Sequence, residues 1–229
     1  MPVWSQVSFI AASEADRIDA EHFNPRDLKL INDLLNNGGV RLSDACGRIL
    51  TGRTPAFYSE DGEDIVVRSG DLTAALIYPT SNGDFLRTKR LLSAVHLKVG
   101  DVLISSIGMG SIGKVSLVMD ATNLITVSEV TILRDSSIAP EFLFAYLRSE
   151  TGQRQINREI TGATGQQHLL KTKVGRIVIP PPSDDLCKQL KTLISTVWEE
   201  EKSVAARYAQ AAQLVLNALP NSKASFAGS

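Results

Sequence analysis

The apolar residues of this chain follow two different patterns, and the change falls near residue 39. Over residues 13–36, which include Ile18, apolar side chains recur at helical spacing and stop at Gly38-Gly39. This pattern predicts a helix. The dipeptide Asn24-Pro25 is expected to break or kink the helix midway, because proline has no amide hydrogen to donate.

Beyond residue 39 the apolar residues form short runs that are rich in β-branched side chains and bounded by Gly, Asp, Asn or Ser. Such runs are typical of β-strands. One further helix is predicted over about 140–158, with Pro140 at its first position. The predicted strands lie at 65–67, 101–104, 115–118, 124–127, 130–133 and 175–179.

The three prolines at 180–182 form a stiff spacer before a long helix predicted over 184–219. Apolar residues in that helix alternate in steps of four and three, and Glu200 and Arg207 interrupt this heptad seam. The seam is expected to pair with a second copy of the chain or, alternatively, to pack back on residues 13–36. Its residues are Leu186, Leu190, Leu193, Val197, Val204, Ala211, Leu214 and Ala218.

The predicted fold class is therefore α+β. A mixed α/β globular domain covers residues 1–182, a coiled-coil-type helix covers 183–219, and a tail covers 220–229. The length of 229 residues and the apolar fraction of 43% suit a globular protein with a substantial core. No stretch approaches the roughly 20 apolar residues that cross a membrane.

The chain is expected to be cytoplasmic. Its first residues lack the basic start of a secretory signal. Cys46 and Cys187 are far apart and form no motif, which favours a reducing compartment.

The formal net charge of −1 does not by itself indicate a nucleic-acid-binding protein. Two stretches are much more basic than the average: residues 86–98 carry four cations and no acid, and residues 148–176 carry six cations against two acids. Charge runs are also common on ordinary solvated faces, so this alternative stays open.

Residues 108–114 match two nucleotide-binding patterns, G-x-G-x-x-G and G-x-x-x-x-G-K. Both patterns require a helix directly afterwards, so that phosphate sits at the helix N-terminus. Here a strand pattern follows, and Val115 stands where the second pattern needs a hydroxyl. The segment is therefore interpreted as a tight glycine turn between two strands.

A catalytic or metal site is not predicted. His22, His96 and His168 have no metal-binding spacing with one another or with the cysteines. No G-x-S-x-G elbow occurs, and no serine has an evident base. A binding protein without its own cofactor is expected rather than an enzyme.

Taken in order, these features resemble the target recognition domain plus conserved helix of type I restriction–modification specificity subunits, over about residues 40–218. Four segments carry the resemblance: the Gly-x-Thr-Pro turn within 41–55, the strand and Asp-Leu step at 65–72, the Gly-Asp, strand and glycine block at 97–113, and the loop, strand and proline exit at 161–182.

A full-length subunit of that family contains two recognition domains, and each reads half of a split site on double-stranded DNA. The resemblance implies that this chain is a half-length form, which would form a homodimer through antiparallel helices. It also implies a non-catalytic role. S-adenosylmethionine, Mg²⁺ and ATP are then expected on the partner methyltransferase and restriction subunits alone.

Candidate DNA contacts follow from the side-chain types that recognise bases and phosphates. Arginine pairs with guanine and glutamine with adenine, whereas Lys and Arg contact phosphates. Loop residues 166–168 are the expected base readers, and Lys89, Arg90, Lys171 and Lys173 the expected phosphate contacts. The full set is Arg53, Arg68, Arg87, Lys89, Arg90, Lys114, Gln166, Gln167, His168, Lys171 and Lys173.

Two other interpretations remain open. The chain could be a detached recognition part of a fused restriction–methylation enzyme, which binding of S-adenosylmethionine or DNA cleavage would reveal. It could also be a protein-interaction adaptor whose basic stretches face an acidic protein.

Overall fold

The computed structural model describes residues 6–8, 10, 12–13, 19–81, 85–108, 110–162 and 166–218. Within this part of the chain, the elements in order are α1 (Pro25–Asn36), β1 (Val40–Arg41), α2 (Leu42–Ala45), β2 (Cys46–Thr51), β3 (Asp64–Val67), a 3₁₀ helix (Ser69–Thr73), β4 (Leu76–Ile77), β5 (Leu86–Thr88), β6 (Val102–Ser105), β7 (Val115–Val118), β8 (Leu124–Thr126), β9 (Val130–Ser136), α3 (Pro140–Arg148), α4 (Glu150–Glu159), α5 (Lys171–Val174), β10 (Val178–Ile179) and α6 (Asp184–Ala218).

The central sheet has five strands in the order β2-β9-β6-β7-β4. Its pairs are antiparallel except for β4, which joins β7 in parallel. A second sheet has the order β5-β3-β8, with β3 parallel to β8. Strands β1 and β10 form a separate antiparallel pair next to the entry into α6.

The inner strands of the five-stranded sheet are buried on both faces, whereas the edge strand β2 is largely exposed. Val102 and Ile104 of β6 pack in the apolar cluster that includes the helices, whereas Leu103 between them packs in the cluster that includes the three-stranded sheet. Side chains alternate between the two faces of a strand, so a strand covered on both sides needs apolar residues at every position. This arrangement explains why the strands are continuous apolar runs in the sequence.

Helix α1 begins at Pro25, so the predicted helix over 13–36 is corrected. Asn24 caps it, accepting a hydrogen bond from the Arg26 amide at 3.0 Å. Residues 20–23 form a turn, and residues 14–18 lie outside the described residues. The dipeptide Asn24-Pro25 breaks the predicted helix rather than kinking it, because a cap followed by proline satisfies the first turn of a new helix.

The helix predicted over 140–158 is two helices, α3 and α4, divided at Ser149. The Ser149 backbone is extended, and its hydroxyl accepts a hydrogen bond from the Gly152 amide at 3.2 Å. A Cβ on Gly152 would lie 2.2 Å from the Tyr146 carbonyl oxygen, so the tight reversal requires glycine here.

The predicted strands are confirmed, apart from the last, which is shorter than expected. Gly175 ends α5, and β10 is limited to Val178–Ile179. The α+β class with a long C-terminal helix is also confirmed. Among the described residues, no helix is both long and apolar enough to cross a membrane.

Candidate nucleic-acid interface

Strands β6 and β7 are joined by a turn over residues 106–114. Gly108, Gly110 and Gly113 have φ values of 129°, 78° and 81°, a region that favours glycine. The Ile112 amide donates to the Gly108 carbonyl at 3.0 Å, which closes the turn. Because β7 follows directly, no helix N-terminus is present to hold phosphate, and the interpretation as a glycine turn is confirmed.

The loop that contains the expected base readers is attached to this turn. His168 forms β-bridges with both Ile107 and Thr161, and the Leu169 amide donates to the Ser106 carbonyl at 2.9 Å. The side chains of Gln166, Gln167 and His168 are exposed. The loop ends are therefore held by backbone bonds, whereas these three side chains are free to reach outward.

A third segment, residues 52–54, is linked to the same turn through residues 128–129. The Arg53 amide donates to the Thr126 carbonyl at 2.9 Å, and its side chain is exposed. The Thr54 hydroxyl lies 2.8 Å from that of Ser128, and the Glu129 carbonyl accepts from the Ser106 amide at 2.8 Å. Backbone bonds thus join segments that are far apart in sequence. We call residues 52–54, 106–108, 110–114, 128–129 and 166–168 the turn surface.

A substitution at Gly52 tests the close approach of its backbone to the Thr126 carbonyl. A Cβ at Gly52 would lie 2.2 Å from the Thr126 carbonyl oxygen, whereas a Cβ at Gly70 would meet nothing within 4 Å. We expect Gly52→Ala to lower the free energy of unfolding by about 1–3 kcal/mol, because backbone must move to make room. Gly70→Ala is the matched control and should leave the urea midpoint nearly unchanged. Equal midpoints for the two variants would contradict the close approach at residue 52.

The first basic stretch lies on a different part of the molecule. Arg87, Lys89 and Arg90 are exposed on and after β5, at the edge of the three-stranded sheet. The Arg87 guanidinium donates to the Gly62 carbonyl at 3.3 Å, and Arg90 lies 4.0 Å from Glu63. The segment opposite also carries Glu60 and Asp61, so acids offset much of the positive charge on this edge.

Three of the predicted DNA contacts are paired with another side chain or are not fully exposed. Arg68 donates to both carboxylate oxygens of Asp71, at 3.2 and 3.1 Å, and this bonding raises the arginine pKa above its ordinary value. Lys114 is half-buried. Lys173 is 5% exposed, and this burial contradicts its predicted role as a surface phosphate contact. Only Lys171 of the α5 pair is exposed, because the short helix α5 turns its other lysine inward.

Sequence reasoning missed two exposed aromatic side chains. Phe57 is 83% exposed and Tyr58 is 46% exposed, in the segment that runs from the turn surface to β3. The buried Thr88 hydroxyl donates to the Phe57 carbonyl at 2.8 Å, which fixes the backbone that presents the ring. The signal in the sequence was an aromatic pair inside an otherwise polar segment after the Gly-x-Thr-Pro turn.

Helix α6 presents two faces. Cys187, Leu190, Ile194 and Trp198 pack on the core of the globular domain, near α3. Farther along, the Tyr78 hydroxyl donates to Glu201 at 3.4 Å, and burial raises the pKa of both groups. Among the described residues, the half of α6 that packs on the domain therefore rests mainly against α3 and the end of β4, whereas the alternative placed the seam against residues 13–36.

The other face of α6 carries the predicted seam. Leu190 is shared with the packed face, but Leu193 is 60% exposed and Val204 is 47% exposed. From Ser203 to Ala218 each residue is exposed. The remaining seam residues are also exposed: Leu186, Val197, Ala211, Leu214 and Ala218.

This chain has a fold that a restriction endonuclease also contains. The enzyme is the type IIG restriction endonuclease BpuSI, which matches over 78% of this chain with a TM-score of 0.57 and 10% sequence identity.

Two type I restriction–modification S subunits also match. They are HsdS from Thermoanaerobacter tengcongensis (TM-score 0.46, 19% identity, 74% of this chain) and the S subunit from M. genitalium (TM-score 0.49, 12% identity, 89% of this chain). The chain spans 29% of BpuSI, 39% of HsdS and 48% of the M. genitalium subunit. No family model and no curated protein matches the sequence.

Proposed function

We propose that this chain is a sequence-specific DNA-recognition subunit of a restriction–modification system. The observation that carries the proposal is the turn surface, where backbone bonds bring Arg53 and the exposed residues 166–168 to one connected region. Arginine and glutamine are the side chains that pair efficiently with base edges in the major groove. The fold shared with a restriction endonuclease supports the same class of function.

Base reading and phosphate binding are assigned to different residues. Arg53, Gln166, Gln167 and His168 reach base edges, because their side chains are exposed and backbone bonds at Arg53 and His168 hold the two segments. Lys171 contacts phosphate near this surface. Arg87, Lys89, Arg90 and the half-buried Lys114 supply additional charge, and the Phe57 ring offers an apolar contact of the kind that thymine methyl groups favour.

Catalysis is assigned to partner subunits. In this proposal a methyltransferase binds S-adenosylmethionine, a restriction subunit uses Mg²⁺ and ATP, and this chain directs both to DNA. The resemblance to type I specificity subunits supports this division. Within the described part of the chain, no group of three or more His, Cys, Asp or Glu side chains is placed to hold a metal ion.

The functional unit is a homodimer that reads a split site. One recognition domain precedes α6, and this long helix leaves an apolar stripe exposed to solvent. Two antiparallel copies of α6 would cover this stripe and hold two domains on one DNA duplex.

The second candidate function is the recognition part of a fused restriction–methylation enzyme. The match to BpuSI, which is an enzyme, favours it. Binding of S-adenosylmethionine or cleavage of plasmid DNA by the purified chain would support this candidate over the non-catalytic subunit.

Selection from random duplex DNA tests the proposed function. Purified chain is incubated with the library alone and with a methyltransferase subunit encoded beside it, and bound DNA is sequenced. A motif repeated in inverted orientation at fixed spacing is expected for a homodimer. A motif recovered only with the methyltransferase supports recognition by the complex. No motif under either condition would overturn the proposal and favour a protein-interaction adaptor.

A further inference from the structure

We propose that Glu200 and Arg207 set the register of an antiparallel pair of α6 helices, with the two-fold axis at Val204. The inference rests on the homodimer of the proposed function and names its geometry. These two charged residues interrupt the apolar stripe; both are exposed, and no ion pair within the described residues includes either of them.

The second half of α6 requires a partner to be stable. The 16 residues from Ser203 to Ala218 are all exposed, and they include the large apolar side chains Val204, Tyr208 and Val215. An isolated helix of about this length is marginal in water, and most helical stability comes from packing an apolar face. A second copy of the same stripe provides that packing.

The positions of the stripe follow from helical geometry. Each residue advances by about 100° around the axis. On that basis Leu193, Val197, Val204 and Val215 lie within a narrow stripe, whereas Glu200 and Arg207 lie together along one edge of it. These two charges are opposite in sign and stand four residues before and three residues after Val204.

In an antiparallel pair of helices, these opposite charges form two equivalent ion pairs between the copies. Its two-fold axis lies perpendicular to the plane of the two helices, so the same edge of both stripes falls on the same side. With the axis at Val204, Glu200 of each copy faces Arg207 of the other copy. The same register sets Val197 opposite Ala211 and Leu193 opposite Val215, so apolar residues cover one another. In a parallel pair, the edge that carries Glu200 and Arg207 faces the edge of the partner's stripe that lacks them, so neither ion pair forms.

The same two-fold rotation at Val204 also determines where the two recognition domains lie. The face of α6 that packs on the domain, represented by Ile194, lies about a quarter turn from the stripe. Both domains therefore lie on one side of the helix pair. The packed residues Cys187 to Trp198 are centred about 17 Å from Val204 at about 1.5 Å per residue, so the domain attachment points lie about 35 Å apart. That distance is about one turn of B-DNA.

Cysteine cross-linking tests the register. On a Cys187→Ala background, Val204→Cys is expected to oxidise to a covalent dimer, because the two copies meet at the axis. Leu193→Cys alone should cross-link poorly, since its two copies lie about 33 Å apart, and adding Val215→Cys should restore cross-linking. A covalent dimer formed efficiently by Leu193→Cys alone would show a parallel pair and overturn the proposal.

Exchange of the two charges tests whether the ion pairs between Glu200 and Arg207 set the register. Dimer dissociation is measured by analytical ultracentrifugation. Glu200→Arg and Arg207→Glu each turn two attractions into two repulsions, and each should weaken the dimer roughly tenfold. The double exchange should return the dissociation constant to within about threefold. Glu199→Arg, one residue away but pointing away from the stripe, is the matched control. Failure of the double exchange to recover would overturn the assigned pairs.

These outcomes separate the register from the proposed function. A chain that selects a DNA motif but stays monomeric overturns the register and leaves DNA recognition standing. A dimer that cross-links as expected but selects no motif keeps the register and overturns DNA recognition.

Discussion

We expect Asp101→Ala to lower the free energy of unfolding by about 3–5 kcal/mol, because it leaves a buried guanidinium without its carboxylate. Arg134 on β9 donates from Nε to Asp101 at 2.8 Å, and its Nη2 also donates to the His96 carbonyl at 2.7 Å. Asp101 is 2% exposed and Arg134 is 6% exposed. The hydrogen bonds that Asp101 accepts from Arg134 raise the pKa of the arginine above its ordinary value, so the arginine stays charged in the folded state.

The chain contains a matched control for this pair. Arg48 on β2 forms a similar two-donor pair with Asp135, but about half of each side chain is exposed. Arg48→Ala should therefore lower the free energy of unfolding much less, since solvent screens exposed pairs and replaces their hydrogen bonds. Urea denaturation of both variants gives the comparison. A loss of stability for Asp101→Ala no larger than that for Arg48→Ala would contradict the role of burial.

The second large effect is expected in DNA binding, where Gln167→Ala and Lys171→Ala should behave differently. Removing a base reader should relax the preference at one base pair by about 1–3 kcal/mol while leaving other positions of the motif unchanged. Removing a phosphate contact should weaken binding to all sequences and reduce the slope of log affinity against log salt by about one.

Affinity measured on the selected motif and on its single-base variants, at several salt concentrations, distinguishes the two variants. Lys188→Ala serves as the control, because it removes the same charge from an exposed position on α6, away from the turn surface. Equal losses on every sequence from Gln167→Ala and Lys171→Ala would remove the distinction between reader and anchor.

Several strands could be predicted because burial on both faces makes each one a continuous apolar run. The four residues of β7 coincide with the predicted 115–118, and β3 differs by one residue. Helix boundaries were harder, because they depend on single hydrogen bonds. Asn24 and Ser149 each cap a helix, and apolar spacing contains no information about which side-chain oxygen will take that role.

The candidate site was predicted in part. The exposed residues 53, 166–168 and 171 have the expected chemistry, and their DNA contacts stay predictions. Burial of Lys173 and the pairing of Arg68 with Asp71 were not visible, since both depend on which neighbours the fold supplies. Phe57 was overlooked because an aromatic residue in a single sequence predicts a core position at least as readily as an exposed one.

The sequence by itself determined the α+β class, the glycine turn at 108–114 and the long helix after 180–182, because these depend on local periodicity, glycine conformation and proline stiffness. The tertiary structure decided which segments meet at the turn surface and which face of α6 packs on the domain. Those outcomes depend on contacts between residues more than 50 positions apart, such as Arg53 with Thr126 and Ile107 with His168. The local sequence pattern determines the structure of each segment separately. The contacts that bury one segment against another depend on the residues of both segments.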